Sequence, residues 1–336
     1  MKGRYIMGLR WGYMGTGYIA QVVAEDFKIS GLHIQAVGSR FLETAQAFAD
    51  KNGIADVHGS YAELVANPNV DIVYISTLNS FHYENAILAI NAGKHVLLEK
   101  PFTMDAPQAR KIQAAARAKN VFVMEAMWTR FLPTMDAVFD VIKSGLIGTP
   151  HQVIADHSQY LPIENHGRVW DLKFGGGALL DLSIYTISFA ARVLGIPDEV
   201  LGIGKLTFEG VDESNSVLFN YEDGSQAALT ASINDAGPCN AVILGTKGSI
   251  EIDRTFYAQT TFTVYDNLHN VVKRYDTPPV PGTGRQLQAM EAERCVAAGL
   301  LESPVMPVEE SVDLMQVMDD IRLELGVVWD YEDRID

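Results

Sequence analysis

The sequence predicts an α/β protein in which a doubly wound parallel sheet is followed by an α+β domain on a largely antiparallel sheet. Three observations support this fold class. Short apolar runs alternate with helical patterns in the first third of the chain, as strands and crossover helices do in a parallel sheet. After Gly148-Thr149-Pro150, apolar runs instead follow one another closely, separated by turn signals. The length of 336 residues exceeds one ordinary core and indicates two domains.

The elements of the first domain are predicted from apolar periodicity. The predicted strands are Leu9–Met14, Ile34–Ser39, Ile72–Ser76, Val96–Glu99 and Val121–Glu125. The predicted helices between them are Leu42–Lys51, Tyr61–Ala66, Tyr83–Asn91 and Ala106–Ala118. The run Val96-Leu97-Leu98 is apolar on both faces, which is typical of a strand inside a parallel sheet covered on both sides.

The second domain is predicted to contain one long helix, a series of strands and two final helices. The long helix is Leu179–Leu194. The predicted strands are Val153–His157, Val200–Phe208, Ser216–Tyr221, Ser225–Ile233, Ala241–Leu244, Ser249–Ile252, Phe262–Tyr265 and Val271–Tyr275. We therefore place the domain boundary between residues 129 and 130, with domains 1–129 and 130–336.

Composition excludes several classes of function. The chain is 48% hydrophobic and 20% charged, which is typical of a globular protein. A net charge of −16 opposes binding to nucleic acid or to an anionic membrane surface. Cys239 and Cys295 are too few for a disulfide framework or a thiolate metal site, and they fit a reducing cytosol. The eight histidines show no ligand spacing around an acidic pair, so we expect no metal.

We also expect no membrane segment and no targeting signal. The apolar stretch from Ala178 to Leu194 is interrupted by Asp181 and Arg192. The beginning, MKGRYIMGLRW, lacks the apolar core of a signal peptide. Met7 is an alternative start, and we assign no role to Met1–Ile6. These observations predict a soluble cytoplasmic protein.

A glycine turn follows the first predicted strand in the segment GYMGTGYIA. Gly15 permits a tight turn, Gly17 lets a pyrophosphate approach the backbone, and Ala20 lets the helix pack closely on the strand. The N-terminus of the helix supplies amide donors to the anion. The strand before the turn and the helix after it are the context that a dinucleotide site requires. We therefore predict a Rossmann domain that binds cofactor through Gly15, Thr16, Gly17, Tyr18 and Ile19.

The second strand ends in Val37-Gly38-Ser39-Arg40. An NAD site usually has Asp or Glu here for the ribose hydroxyls, whereas a serine followed by an arginine suits a 2′-phosphate. Glu43, one helical turn later, could compete for the ribose. Alternatively, Ser39 caps the next helix and Arg40 is a surface charge. The sequence favours NADP(H), and NAD(H) remains possible.

The segment HVLLEKPFT places a lysine at the end of an interior strand. Pro101 cannot donate to a sheet, so the strand ends there. Lys100 therefore lies at the carboxyl end of a central strand, where open α/β sheets bind ligands. From these residues alone, a solvated lysine that closes a strand is the simpler interpretation.

The glycine turn, HVLLEKP and GGGALLDLSIY (residues 175–185) together resemble the Gfo/Idh/MocA oxidoreductases. Within this family the likeness is closest to the subgroup of dimeric dihydrodiol dehydrogenases and NADP-dependent D-xylose dehydrogenases. The segments that carry it are LRWG, MEAMWTRF, GGGALLD and ESPVMP. The likeness spans nearly the whole chain in the same order. It implies a Rossmann domain joined to a domain with a large open sheet.

The resemblance also implies the catalytic residues. Lys100 corresponds to the active-site lysine, and Glu99 helps to position the cofactor or the lysine. Asp181 and Tyr185 are four residues apart on one face of a predicted helix. Tyrosine stands where many relatives have histidine, and Ser183 replaces the family's glycine. Taken alone, Tyr185 could be an ordinary core tyrosine. That interpretation does not explain why it occurs together with Lys100 and the glycine turn.

The implied mechanism is hydride transfer coupled to proton transfer. A base must take the hydroxyl proton while hydride moves to the nicotinamide. Tyrosine is a poor base because its ordinary pKa is about 10, and the neighbouring ammonium of Lys100 would lower that pKa. Asp181 would orient the lysine or the substrate hydroxyl.

Further residues are candidates for cofactor or substrate contacts. Thr77, Asn79 and His82 follow a strand as cofactor-loop residues do in the family, although His82 could equally cap the next helix. The candidates for the substrate pocket are Trp128, Arg130, Phe131, His157 and Tyr160. Trp128 and Phe131 could instead belong to a buried aromatic cluster. Arg168 and Trp170 lie in a loop before the glycine run and could close over it.

We therefore expect an NADP-dependent dehydrogenase or reductase of a sugar or vicinal diol. A regulator that senses the cofactor without turnover is one alternative, and a glycosidase that uses tightly held NAD is another. The strands Ala227–Ile233 and Ser216–Tyr221 carry no charge on either face. One face can be covered by the helix Leu179–Leu194, and the other needs a partner. We predict a homodimer through the sheet of the second domain.

Overall fold

The computed structural model describes residues 8–276 and 279–329. Met1–Ile6, to which the sequence assigned no role, and Met7 lie outside the described residues. The chain forms two compact units. Unit 1 contains the described residues up to Phe102, together with Gln108–Trp128 and Pro281–Glu309. Unit 2 contains Thr103–Pro107, Thr129–Val280 and the described residues from Glu310 onward.

Unit 1 is built on six parallel strands, which confirms the predicted doubly wound sheet. The strands are β1 (Trp11–Met14), β2 (Ile34–Gly38), β3 (Asp56–His58), β4 (Ile72–Ile75), β5 (His95–Glu99) and β6 (Val123–Ala126). Their order in the sheet is β3-β2-β1-β4-β5-β6. The order reverses between β1 and β4, and ligands bind at the carboxyl ends of the strands at such a point. The sequence did not predict β3 because it is a three-residue edge strand without a fully buried side chain.

Ten α-helices lie in the described part of the chain. They are α1 (Tyr18–Ser30), α2 (Leu42–Asn52), α3 (Tyr61–Ala66), α4 (His82–Asn91), α5 (Ala106–Lys119), α6 (Pro133–Lys143), α7 (Ile163–His166), α8 (Ile184–Leu194), α9 (Gln286–Ala297) and α10 (Val308–Leu325). All four helices predicted in the first third of the chain are present within two residues of their predicted bounds.

Residues 281–309 belong to unit 1, although the sequence placed them in the second domain. Two carboxylates, of which Asp26 is buried, attach them. Asp26 on α1 accepts hydrogen bonds from Thr283 (N, 2.9 Å) and from the amide of Arg285 at 3.0 Å. Glu293 on α9 accepts one from the indole of Trp11 at 2.9 Å. These contacts join residues more than 250 positions apart, so local patterns could not predict them.

Unit 2 is built on eight strands, most of them antiparallel, which confirms the predicted second sheet. The strands are β7 (Pro150–Ser158), β8 (Glu199–Leu206), β9 (Asp212–Asn220), β10 (Gln226–Ser232), β11 (Ala241–Gly245), β12 (Gly248–Ile252), β13 (Phe262–Asp266) and β14 (Val271–Tyr275). Their order is β14-β13-β12-β11-β7-β10-β9-β8. The central pair β7 and β10 is parallel.

The predicted helix Leu179–Leu194 consists of two parts. A π-helical turn, Leu179–Ser183, leads directly into α8. Both parts pack against the same sheet, α8 on β7 and the π-helical turn on β10. The helical stretch Leu172–Leu194 is long and apolar enough to cross a membrane by length and composition alone, but 83% of its most apolar window is buried inside the protein. A core helix of a globular protein has these same properties.

Candidate active site

The glycine turn in unit 1 leaves the N-terminus of α1 open. Gly15 has φ +112°, and a Cβ at this position would lie 3.1 Å from the carbonyl oxygen of Ser76. Gly17 is the N-cap of α1, and a Cβ there would meet no atom within 4 Å. No side chain caps α1, and its first turn carries no acidic residue. Free helix amides beside open space suit the pyrophosphate of a dinucleotide.

The end of β2 presents a basic side chain and no carboxylate. Ser39 is buried, and its hydroxyl oxygen lies 2.6 Å from that of Thr44. It also lies 3.5 Å from the amide of Phe41, so it only approaches the capping position of α2. Arg40 is exposed, and its guanidinium carbon lies 5.4 Å from the ring centroid of Phe81. Its cation therefore lies beside the loop that follows β4.

His82 connects the loops that follow β4 and β5. Its ring is buried, with Nδ1 2.8 Å from the carbonyl oxygen of Pro101 and Nε2 3.2 Å from that of Thr77. Asn85 donates to the hydroxyl of Thr77 at 3.1 Å. Carbonyl oxygens can only accept hydrogen bonds. A neutral imidazole has one N–H and donates to one of these two carbonyls, so the ring contacts both loops, whereas a cap would accept from helix amides. Asn79, at the start of a short 3₁₀ segment in the first loop, is also buried.

The residues at the end of β5 combine a buried carboxyl group with Lys100. Glu99 accepts a hydrogen bond from the hydroxyl of Tyr74 at 2.7 Å and one from the amide of Lys100 at 3.3 Å. Burial raises the pKa of Glu99, opposed by the hydrogen bond from Tyr74 and by the positive charges of Lys100 and Arg285. Lys100 thus lies at the carboxyl end of a central strand, next to the Glu99 side chain that Tyr74 holds in place.

Arg285 is a site candidate in unit 1 that the sequence analysis missed. Its guanidinium carbon lies 3.9 Å from the ring centroid of Trp128, which is buried. Its charge also acts on Glu99 at the end of β5. The sequence contains no motif around this arginine that would predict a role in the site. It belongs to unit 1 only because residues 281–309 pack with that unit in the folded chain. Trp128, predicted for the substrate pocket, therefore packs under a cation in this unit.

In unit 2, the π-helical turn carries Asp181, and α8 carries Tyr185. Both residues are almost fully buried. Arg168 lies 3.2 Å from a carboxylate oxygen of Asp181. The loop before the glycine run, which we expected to close over it, therefore supplies a cation to Asp181, which we predicted to orient the lysine or the substrate hydroxyl. Trp170 in the same loop donates its indole N–H to the carbonyl of Leu161 at 2.6 Å.

An aromatic cluster surrounds Tyr185. The ring of His157 lies edge-on to Tyr185 at 4.9 Å between centroids and stacks on Tyr257 at 3.8 Å. Nδ1 of His157 is 3.2 Å from the carbonyl of Leu182, so this nitrogen is the donor. Gln159 lies 2.7 Å from Nε2 and also donates to the hydroxyl of Tyr257 at 3.0 Å. The sequence analysis missed Gln159 and Tyr257.

The remaining substrate candidates occupy different environments. Arg130 is 3% exposed; it donates to the hydroxyl of Ser188 on α8 at 2.8 Å and pairs with Glu310 at 2.5 Å. These bonds occupy its guanidinium and indicate a role in holding α8. Phe131 is half-buried, and Tyr160 is largely exposed. Within residues 8–276 and 279–329, no group of three His, Cys, Asp or Glu side chains is arranged to hold a metal ion.

The chain matches two family models. Residues 9–127 match the oxidoreductase family with an NAD-binding Rossmann fold, and residues 135–251 match the GFO/IDH/MocA C-terminal domain. The trans-1,2-dihydrobenzene-1,2-diol dehydrogenase of Mus musculus is 34% identical over 98% of this chain and 100% of its own length. The human protein of the same name is 33% identical over the same shares.

Solved structures with the same fold include a ketoreductase and an aldose–aldose oxidoreductase. A 3-ketoreductase from Actinomadura kijaniata, in complex with NADP and TDP-benzene, is 26% identical with a TM-score of 0.84. The match covers 95% of this chain and 98% of that one. An aldose–aldose oxidoreductase from Caulobacter crescentus, 22% identical with a TM-score of 0.85 over the same shares, has the same fold.

Proposed function

The chain belongs to the Gfo/Idh/MocA oxidoreductase family, and we propose that it transfers hydride between NADP(H) and a secondary alcohol or carbonyl of a vicinal diol or sugar. One observation carries the proposal. Lys100 directly follows β5, Asp181 lies in the π-helical turn and Tyr185 lies just after it, in a chain that dihydrodiol dehydrogenases match over 98% of its length. The names of those relatives support a vicinal diol, and the name of the 3-ketoreductase supports a carbonyl.

The residues of unit 1 fit a bound dinucleotide. The amides at the N-terminus of α1 would hold the pyrophosphate beside Gly17, where the structure leaves open space. Arg40 would bind the 2′-phosphate of NADP, since it is exposed and no carboxylate directly follows β2. When bound, the cofactor supplies the hydride acceptor or donor.

The proposed proton chemistry belongs to residues of the chain itself. Tyr185 takes the hydroxyl proton during oxidation and returns it during reduction. We assign Lys100, which directly follows β5, as the cationic group of the reaction. Asp181, paired with Arg168, orients the reacting hydroxyl. His157 and Tyr257 hold the ring of Tyr185 by edge-on and tilted contacts at 4.9 and 5.3 Å between centroids.

The test is net turnover of free cofactor with a panel of substrates. The panel contains aldoses, ketoses and aromatic trans-dihydrodiols, each followed by nicotinamide absorbance with NADP and with NAD. We expect turnover with at least one diol or sugar, and a preference for NADP. Cofactor binding without turnover on any member would favour a nucleotide-sensing regulator. Hydrolysis of a glycoside without net reduction of free cofactor would favour the glycosidase alternative.

We further propose that the protein is a cytoplasmic homodimer. The open face of the second sheet carries an apolar row in cross-strand register, formed by Leu201, Leu218, Ala228, Ile154 and Val242. Leu201, Leu218 and Ile154 are 50%, 54% and 44% exposed. A second copy can cover such a row with the same row of its own sheet around a two-fold axis. Both cysteines are free and buried, which is compatible with a reducing compartment.

A further inference from the structure

A hydrogen-bonded chain from β9 reaches both ends of the π-helical turn. Asp212, at the start of β9, accepts a hydrogen bond through Oδ2 from the amide of Leu179 at 2.7 Å. The same oxygen accepts from the side-chain amide of Asn215 at 3.1 Å. The oxygen of that amide accepts from the hydroxyl of Ser183 at 2.9 Å. We name Asp212, Asn215 and Ser183 the β9 clamp, since Leu179 and Ser183 are the first and last residues of the turn.

The second carboxyl oxygen of Asp212 packs against the glycine run that precedes the turn. This oxygen, Oδ1, is buried and has no hydrogen-bond partner among the residues that the structure describes. A Cβ on Gly177, which has φ +111°, would overlap it. The position therefore requires glycine for both its backbone conformation and its contact with the carboxyl group. Burial raises the pKa of Asp212 to about 7, opposed by the hydrogen bonds from Leu179 and Asn215.

A buried carboxyl oxygen without a hydrogen-bond partner lowers the stability of the folded protein, so its presence in this structure needs an explanation. The reason is found in the geometry of the turn. Single π-helical turns inside α-helices are rare and occur frequently at functional sites. The extra residue in the turn changes where the side chains before α8 point, relative to a continuous α-helix. Asp181 is in the middle of this turn, and Tyr185 is the second residue after it.

We infer that Asp212 and Asn215 are positioning residues that hold the π-helical turn, and thereby fix the directions of Asp181 and Tyr185 for the reaction. The inference rests on the proposed function for the identity of the reacting groups. The clamp touches neither of these two side chains directly in its three hydrogen bonds. It acts on the backbone and on Ser183, so its loss should change the alignment of the reaction without removing a reacting group.

The first test is Asn215→Ala, with Asn220→Ala as the matched control. Asn220 is on the same strand, is exposed, and donates to Glu199 at 3.3 Å. In Asn215→Ala we expect kcat per folded molecule to fall about tenfold to a hundredfold, because small misplacements of reacting groups have effects of this size. The dissociation constant for NADPH should not change, since the glycine turn is in unit 1. The pH profile of kcat should also change, because the group that transfers the proton would be misaligned. Asn220→Ala should match the wild type in all three measurements.

A readout independent of turnover is the hydrogen–deuterium exchange of the peptide that contains residues 179–183. We expect faster exchange there in Asn215→Ala and unchanged exchange in Asn220→Ala. Faster exchange in a protein whose wild type turns over no diol or sugar would reject the proposed function and leave the clamp supported as the element that orders this turn.

The conservative pair Asp212→Asn and Asp212→Ala extends the test. Asparagine keeps an oxygen acceptor for Leu179, so Asp212→Asn should retain kcat within about threefold, whereas Asp212→Ala should lose as much as Asn215→Ala. If Asp212→Ala does not fold, the measurements on Asn215→Ala alone test the inference. A lower melting temperature in Asn215→Ala, with kcat, pH profile and exchange at 179–183 all unchanged, would make the clamp merely structural and overturn the inference.

Discussion

Arg168 and Asp181 form an ion pair at 3.2 Å across 13 residues, between the loop that precedes the glycine run and the π-helical turn. The arginine is about half exposed, whereas the carboxylate is almost buried. The pair fixes the direction of the Asp181 carboxylate, to which we assign an orienting role.

Arg168→Ala should lower kcat/KM by about twofold to fivefold, the usual range for a pair with one exposed partner. Arg168→Lys keeps the charge and should lose less. Because salt screens an exposed cation, the difference between wild type and Arg168→Ala should shrink as salt is added. Steady-state kinetics at two ionic strengths tests this. A loss of a hundredfold or more that does not depend on salt would contradict it and would place Arg168 on the substrate.

Tyr185→Phe removes the only group that we propose to exchange the substrate proton. Turnover should fall by about 10²–10⁴, the usual contribution of a positioned acid or base, while NADPH binding is retained. Lys100→Met should also cripple turnover, and the double variant should lose far less than the product of the two losses. The matched control is Tyr221→Phe, because the hydroxyl of Tyr221 donates to the carbonyl of Gly195 in the same unit. Normal turnover in Tyr185→Phe with an inactive Lys100→Met would move the proton transfer to Lys100 or Asp181.

Arg40→Ala should weaken binding of NADP much more than binding of NAD. Loss of a hydrogen bond to a charged group costs about 1.5–3 kcal/mol, or roughly tenfold to 150-fold in affinity. Fluorescence titration with both reduced cofactors measures the two affinities. Arg117→Ala is the control, since Arg117 is an exposed arginine of unit 1 that pairs with Glu309. Equal losses for both cofactors would refute the assignment of Arg40 to the 2′-phosphate.

Asp212 should make the stability of the folded protein depend on pH. Burial raises its folded pKa from 3.8 to about 7. Between these values the unfolded chain has lost the proton and the folded chain retains it, so the free energy of unfolding falls as pH rises. Three pKa units correspond to about 4 kcal/mol.

Asp212→Asn should therefore remove this component, and its free energy of unfolding should decline less than that of the wild type between pH 4 and pH 7. Urea unfolding at several pH values measures the difference between the two proteins. Parallel curves for wild type and variant would show that Asp212 does not titrate in this window.

Leu218→Glu should convert the proposed homodimer into a monomer. The substitution places a charge within the apolar row on the open sheet face, between Leu201 and Ala228, where a second copy would have to bury it. Leu268→Glu is the control, because Leu268 is exposed in the turn between β13 and β14. Sedimentation velocity at micromolar concentration distinguishes the two masses. A wild-type protein that sediments as a monomer would contradict the proposed homodimer.

Local patterns were sufficient for most of the fold and for part of the site. The strands that end at Met14 and Glu99 were predicted at their observed carboxyl ends, because burial on both faces produces a continuous apolar run. The glycine turn could be predicted because only a strand, two glycines and a helix in that order leave the N-terminus of α1 open. The contact of Arg40 with Phe81 could not be predicted, because the loop after β4 is distant from Arg40 in the sequence.

The sequence by itself determined the two sheets, the position of Lys100 at a strand end, and the spacing of Asp181 and Tyr185. These features depend on alternation, apolar runs and turn residues, which act over a few positions. Only the tertiary structure decided that residues 281–309 join unit 1, that Arg130 holds α8, and that residues 179–183 form a π-helical turn over Asp212. The apolar pattern of Leu179–Leu194 is the same for α- and π-helical turns. The choice between them comes from hydrogen bonds to β9, which lies outside that helix in sequence.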